Sequence, residues 1–272
     1  MKQYAVLLAL LAASISAQAV PVTSSTSTFV STRDCIAGAT ECDFVSATLA
    51  SDVGGPPGAS NATAAMSDPS FGSTSGTAEI FGIGEALRSG SGVSNAGKRN
   101  SSNSYMLQKF TNTSSQFTTV TFSGVLEYDQ DVPAANAAFD PTSPGTATIA
   151  NAAIFLYSFD SPTIDVGIDA FENFLKLSGG LSAEPGFVER AAAGLQSPVN
   201  TTAAGGSVSR TVSTNVAAGE TIWFYSFLQT PAANGANISA TLRTSMVVPA
   251  PAGWTLVLLA LFIVRARQQA RA

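Results

Sequence analysis

From residue 77 onward the chain is written in short apolar runs separated by turn residues. In "FTTVTFSGVLEYD", Val120, Phe122, Leu126 and Tyr128 fall on one side of an extended strand, with Gly124 between them. In "NISATLRTSMV", Ile238, Ala240, Leu242 and Met246 point one way while Ser239, Thr241 and Arg243 point the other. A period of two marks a half-buried strand. "ETIWFYSFL" is apolar on both faces, which predicts a central strand. "NVAAGETI" reads as the hairpin turn joining it to the strand before. With "TAEIFGI", "SYMLQKF", "ATIANAAIFLYSF", "GSVSRTVSTNV" and, further upstream, "DFVSATLA", the pattern predicts seven or eight strands. One short helix is predicted at "IDAFENFLKL", where Ile168, Phe171, Phe174 and Leu175 coincide at helical spacing. The fold class is therefore all-β, a β-sandwich of jelly-roll-like type.

The ends of the chain have a different texture. "MKQYAVLLALLAASISAQAVPV" has the three parts of a secretory signal peptide: Lys2, an apolar run from Tyr4 to Ile15, and small residues at Ala17 and Ala19. Signal peptidase would cut after Ala19. Residues 20–76 are rich in Ser, Thr and Gly, with "SDVGGPPGAS" as a break. The expected organisation is a signal peptide (1–19), this polar N-terminal segment (20–76), a sandwich body (77–247) and a C-terminal signal (248–272).

Charge narrows the partners. Charged residues make up 11% of the chain, against roughly 25% in an ordinary soluble domain. Setting aside Lys2, Arg265, Arg267 and Arg271 leaves 9 of the 13 basic residues against 18 acidic ones, a net charge of −9. Nucleic acid and anionic lipid surfaces both select basic patches, so neither is expected as a partner of the body. Lys98-Arg99, its only adjacent basic pair, reads as a solvated loop.

The chain has no histidine. That removes Ser-His-Asp and Cys-His catalysis and the usual zinc sites. "GSTSG" carries Thr where a nucleophile elbow needs Ser, and "FGIGEALRSG" lacks the third glycine of a dinucleotide fingerprint. No cofactor is expected, and the chain does not read as an enzyme. Carboxylate chemistry survives this filter. Its candidates are Glu127, Asp129 and Asp131, and the group Asp160, Asp165, Asp169 and Glu172, which could also offer oxygens to calcium. That second group does not follow the EF-hand spacing, and clusters of acids are most often solvated.

Cys35 and Cys42, with six residues between them, read as a local disulfide in an oxidising compartment, adding no more than about 2–3 kcal/mol. Trp223 and Tyr225 offer either an aromatic platform for sugar rings or core packing, and their doubly apolar strand favours the core. Sequons begin at Asn61, Asn100, Asn112, Asn200 and Asn237.

The chain ends "VPAPAGWTLVLLALFIVRARQQARA". Gly253 to Val264 is 12 residues without a charge. As a helix it covers about 18 Å of a roughly 30 Å hydrocarbon core. Trp254 at one boundary and snorkelling arginines at the other extend its reach, and Arg265, Arg267 and Arg271 would stay cytoplasmic. Val248-Pro249-Ala250-Pro251, the apolar helix and the basic end together resemble the PEP-CTERM sorting signal, with Ala250 where that family usually has Glu. The resemblance spans about 25 residues. It implies a Gram-negative host, an exosortase that cuts near the proline motif, and a place in biofilm or extracellular matrix. Three readings follow: an exported structural or adhesive surface protein processed by exosortase; a single-pass membrane-anchored protein that keeps its tail; or a secreted carbohydrate-binding or carbohydrate-active domain that binds extracellular polysaccharide.

Overall fold

A computed structural model describes residues 21–34, 43–54, 60–82, 85–93, 98–131, 149–158, 186–198, 204–233 and 235–247. They form two six-stranded sheets, antiparallel throughout. The first has the order β2 (Asp43–Gly54), β1 (Pro21–Asp34), β6 (Lys98–Thr111), β11 (Thr221–Ala233), β8 (Asn151–Ser158), β9 (Val188–Gln196). The second runs β10 (Ala204–Val216), β7 (Thr118–Asp131), β12 (Asn237–Val247), β5 (Glu85–Val93), β4 (Gly72–Gly82), β3 (Ser60–Asp68). They pack face to face, with β1 and β2 over β3 and β4, β11 over β5 and β12, and β9 over β10. This is the expected β-sandwich, with more strands than the hydrophobic pattern announces.

The difference has a physical cause. β1, β2 and β3 come from the polar stretch placed ahead of the sandwich, where only β2, at "DFVSATLA", is expected, and the boundary drawn at residue 77 falls inside β4. In β1, Ser25, Thr26, Ser27, Thr28, Ser31 and Thr32 are all buried. Hydroxyls substitute for methyls there, so no apolar alternation shows. At this end the two sheets approach closely. The Thr28 hydroxyl donates to the Ala62 carbonyl at 3.2 Å and lies 3.4 Å from the Ser104 hydroxyl.

The other end holds the apolar core. Phe110, Phe122 and Phe224 meet edge-on or tilted at centroid distances of 6.1 and 5.1 Å, and Val120, Leu126, Ile154, Leu156, Ile222 and Leu242 surround them. β11 is central, between β6 and β8, as its two apolar faces require. Its other face joins Trp223 and Tyr225 to Tyr105, Leu107 and Tyr157 in a second cluster. Burial pushes the Tyr157 hydroxyl above the usual tyrosine range, and the Glu189 carboxylate adds to it.

Two local expectations are corrected. "NVAAGETI" is not a hairpin: β10 and β11 lie in different sheets, so Ala217–Glu220 is a corner between layers. Gly219 takes the left-handed conformation there (φ 78°), and Glu220 closes the corner by accepting from the Ala217 amide at 2.7 Å. Glu220 also pairs with Arg190 of β9, which ties that edge strand to the corner. Lys98-Arg99 is not a solvated loop but the start of β6. Lys98 pairs with Asp34 at 2.7 Å and lies over the Phe71 ring, while Arg99 stands opposite Arg33 in the register. Burial and that neighbouring guanidinium lower the Arg99 pKa.

Candidate functional site

The outward face of the second sheet is built from polar strand positions that the antiparallel register aligns into rows. One row reads Thr63 and Thr77 and, on the far side of β5, Thr241, Glu127 and Ser207; the next reads Ala65 and Ser75 and then Ser239, Asp129 and Gly205. Alternation fixes their direction. Ala240 between them is in the core, and a side chain at Gly76 would run into Ser102, Thr28 and Ser104 of the facing sheet. Their neighbours at odd positions therefore face out.

Over these rows lies a depression of about 340 Å³, lined by Ser75, Gly76, Thr77, Glu127, Tyr128, Asp129, Gly206, Ser239, Ala240 and Thr241. Gly206 makes room for Tyr128, since a Cβ there would stand 2.6 Å from the Tyr128 hydroxyl and displace it. Glu127 has a cation at hand in Arg243, 3.4 Å away across the strands. Both partners are about half exposed, so this surface pair orients Glu127 more than it stabilises the fold.

Chemically, the depression offers neutral hydroxyls that donate and accept, and carboxylates that accept only. Glu127 and Asp129 sit two positions apart on one strand, roughly 7 Å along it. They stand side by side on one wall. Asp131, the third carboxylate of that group, is exposed at the end of β7, opposite Asn237. Among the described residues, no three Asp, Glu or Cys side chains converge on a metal site.

Other expectations sort by location. Trp223 and Tyr225 are 5% and 2% exposed, so they are packing residues and not a platform. Of the sequons, Asn61 and Asn237 are exposed, whereas Asn100 and Asn112 are buried with committed amides. The Asn100 Nδ2 donates to the Phe71 carbonyl at 3.0 Å. The Asn112 Nδ2 donates to the carbonyls of Gln116, Val216 and Ala217 at 2.8 to 3.0 Å, and its Oδ1 accepts from Ser114. Asn112 thus pins the loop after β6 to the corner after β10.

Asn200, Asp160, Asp165, Asp169, Glu172, the predicted helix at 168–177, the signal peptide with Ala17 and Ala19, and the whole 248–272 tail lie outside the described residues. So do Cys35 and Cys42; the β1–β2 register ends at Asp34 and Asp43, the residues just outside them. Among the described residues, no helix is long and apolar enough to cross a membrane. The sequence reading did not pick out Ser75, Thr77, Ser239 and Thr241 as site residues. The available signal was Ser and Thr at every second position, which marks an outward face but not which strands stand next to each other.

No family model and no curated protein matches the chain. Among solved structures, TmCBM61 in complex with β-1,4-galactotriose is 5% identical, covering 68% of this chain and 87% of that chain at a TM-score of 0.24. A cleaved adhesin domain of Lys-gingipain from Porphyromonas gingivalis is 13% identical, covering 59% and 73%, at a TM-score of 0.24. A chain of the Cowpea Mosaic Virus empty virus-like particle is 10% identical, covering 86% and 85%, at a TM-score of 0.22. Likeness this slight carries no ligand or activity from any of them to this chain.

Proposed function

We propose that this protein is an exported surface or matrix component that binds neutral polysaccharide through the outward face of its second sheet. The observation that carries the reading is the depression over the hydroxyl rows, with Glu127 and Asp129 on one wall. Sugar hydroxyls donate well to carboxylates and exchange hydrogen bonds with Ser and Thr. The acidic body favours neutral chains and repels those bearing uronic acids or sulfates. Without an exposed aromatic in the depression to stack on a ring, each sugar unit is held weakly, and a polymer gains affinity by repetition.

Affinity electrophoresis through gels cast with neutral or uronic-acid polysaccharides tests this. Retardation by a neutral polymer is expected, falling about tenfold or more in Glu127→Gln/Asp129→Asn, since each lost charged acceptor removes about 1.5–3 kcal/mol. Migration unchanged in every gel, or equal retardation of the double variant, would refute the site.

Delivery is a separate part of the proposal, supported by the sequence of the two ends. Signal peptidase removes residues 1–19, and an exosortase reads Val248 to Pro251 with the apolar run and arginines behind it. Mass spectrometry of the protein from its host decides this. A C-terminus near Val248 to Pro251 supports sorting, and one at Ala272 makes the tail a retained anchor.

A further inference from the structure

We propose that β2 is a self-pairing edge: two copies of this chain join antiparallel through β2, about a two-fold axis at Leu49, into one continuous sheet. β2 ends its sheet, and among the described residues it pairs with β1 alone. Such an edge presents a row of free backbone donors and acceptors, which proteins normally guard with Lys, Pro or short length. β2 has twelve residues and neither Lys, Arg nor Pro. Of the other edges, β9 carries Glu189 and Arg190, β10 carries Arg210 with two glycines, and β3, without Lys, Arg or Pro, is shorter at nine residues and exposes no large apolar side chain.

The apolar exposure is concentrated here. Phe44, Val45, Leu49 and Val53 are 57%, 49%, 47% and 46% exposed, four of the seven large apolar side chains exposed among the described residues. Leu49 and Val53 share one face, with Leu49 opposite Phe29 of β1, and a bulge at Val45 brings Phe44, opposite Arg33, to that face as well. Antiparallel pairing centred on Leu49 sets Leu49 against the partner's Leu49, and Val53 against the bulged Phe44–Val45 end of the partner's strand, twice over by symmetry. It sets Asp52 opposite the partner's Ser46. The two Asp52 carboxylates then stand six positions apart, roughly 20 Å, well beyond the screening length of about 8 Å. A second copy therefore fits this edge in side-chain size and in charge.

The test is sedimentation equilibrium of the full chain in mild detergent, with Leu49→Lys and a thiol pair of variants. The wild type should dimerise. Leu49→Lys should dissociate about tenfold or more readily, which corresponds to 1.4 kcal/mol or more, with unchanged far-UV circular dichroism. Leu49→Cys should cross-link to a covalent dimer on mild oxidation, and Phe117→Cys, at a 77% exposed site away from β2, should not. A wild-type monomer at every concentration, undiminished association of Leu49→Lys, or equal cross-linking of the two thiol variants would overturn the proposal. If Leu49→Lys loses its strand signal, the thiol pair decides.

Discussion

Gly76 sets the distance between the sheets at the polar end of the sandwich. A Cβ on it would lie 2.4 Å from Ser102 Oγ and 2.6 Å from Thr28 Cγ2. Ser102 can rotate away. Thr28 cannot without giving up its bond to the Ala62 carbonyl, because its χ1 is stiff and its hydroxyl is engaged. We therefore expect Gly76→Ala to destabilise by about 1–3 kcal/mol through overpacking. At Gly194 an added Cβ meets nothing within 4 Å, so Gly194→Ala should stay within about 0.5 kcal/mol. Urea midpoints compare the two, and equal shifts would remove the close approach from the account. None of this is legible in "GSTSG", where Gly76 looks like a turn residue. Asn112 is the same kind of case: as a sequon it suggests a glycan, and only its three carbonyl partners show a structural pin.

At the scale of elements, strands that bury large apolar side chains on one face could be read from sequence, whereas of those that do not only β2 could, through apolar residues that turn out to be exposed. β7, β11 and β12 announce themselves through Phe122, Phe224 and Leu242. β3 buries Ser60, Ala62 and Ala64, and edge strand β9 shows an exposed Val-Glu-Arg start, so neither carries a hydrophobic period. The site rows were half legible: single strands gave the outward Ser and Thr, but the neighbours come from sheet order, which periodicity does not encode. β8 carries a further consequence in Tyr157, stacked on Phe155 at 5.5 Å and facing Glu189 in the register. Below about pH 10 both folded and unfolded chains keep the tyrosine proton. Above it the unfolded chain releases the proton while the buried hydroxyl holds it, so stability falls as pH rises, by up to about 1.4 kcal/mol per unit. Tyr157→Phe should flatten that decline between pH 10 and 11.5, read from urea midpoints. A parallel decline in the variant would show that Tyr157 contributes nothing to it.

Across the whole molecule the interior is divided in kind. Around β7, β8, β11 and β12 the sheets are held by aromatic and branched apolar side chains, each removing large area from water at about 25 cal/mol per Å². Around β1, β3 and β4 the contact is made by Ser, Thr, Ala and Gly, and the hydroxyls of Ser25, Thr26 and Ser102 have no hydrogen-bond partner among the described residues. Small side chains bury less area, and an unpaired buried hydroxyl costs about 1–3 kcal/mol. The polar end should therefore open at lower free energy than the apolar end. Hydrogen exchange at rising, sub-denaturing urea reads this directly: amides of β1, β3 and β4 should exchange before those of β7, β11 and β12. β6 makes the sharpest case, because it crosses both regions. Asn100, Ser102 and Ser104 lie at its polar end and Met106 and Phe110 in the apolar core, so protection should rise along one strand from residue 100 to residue 110. Uniform protection along β6 would mean that the two ends unfold as one unit, and that the hydroxyl packing is as strong as the apolar packing it adjoins.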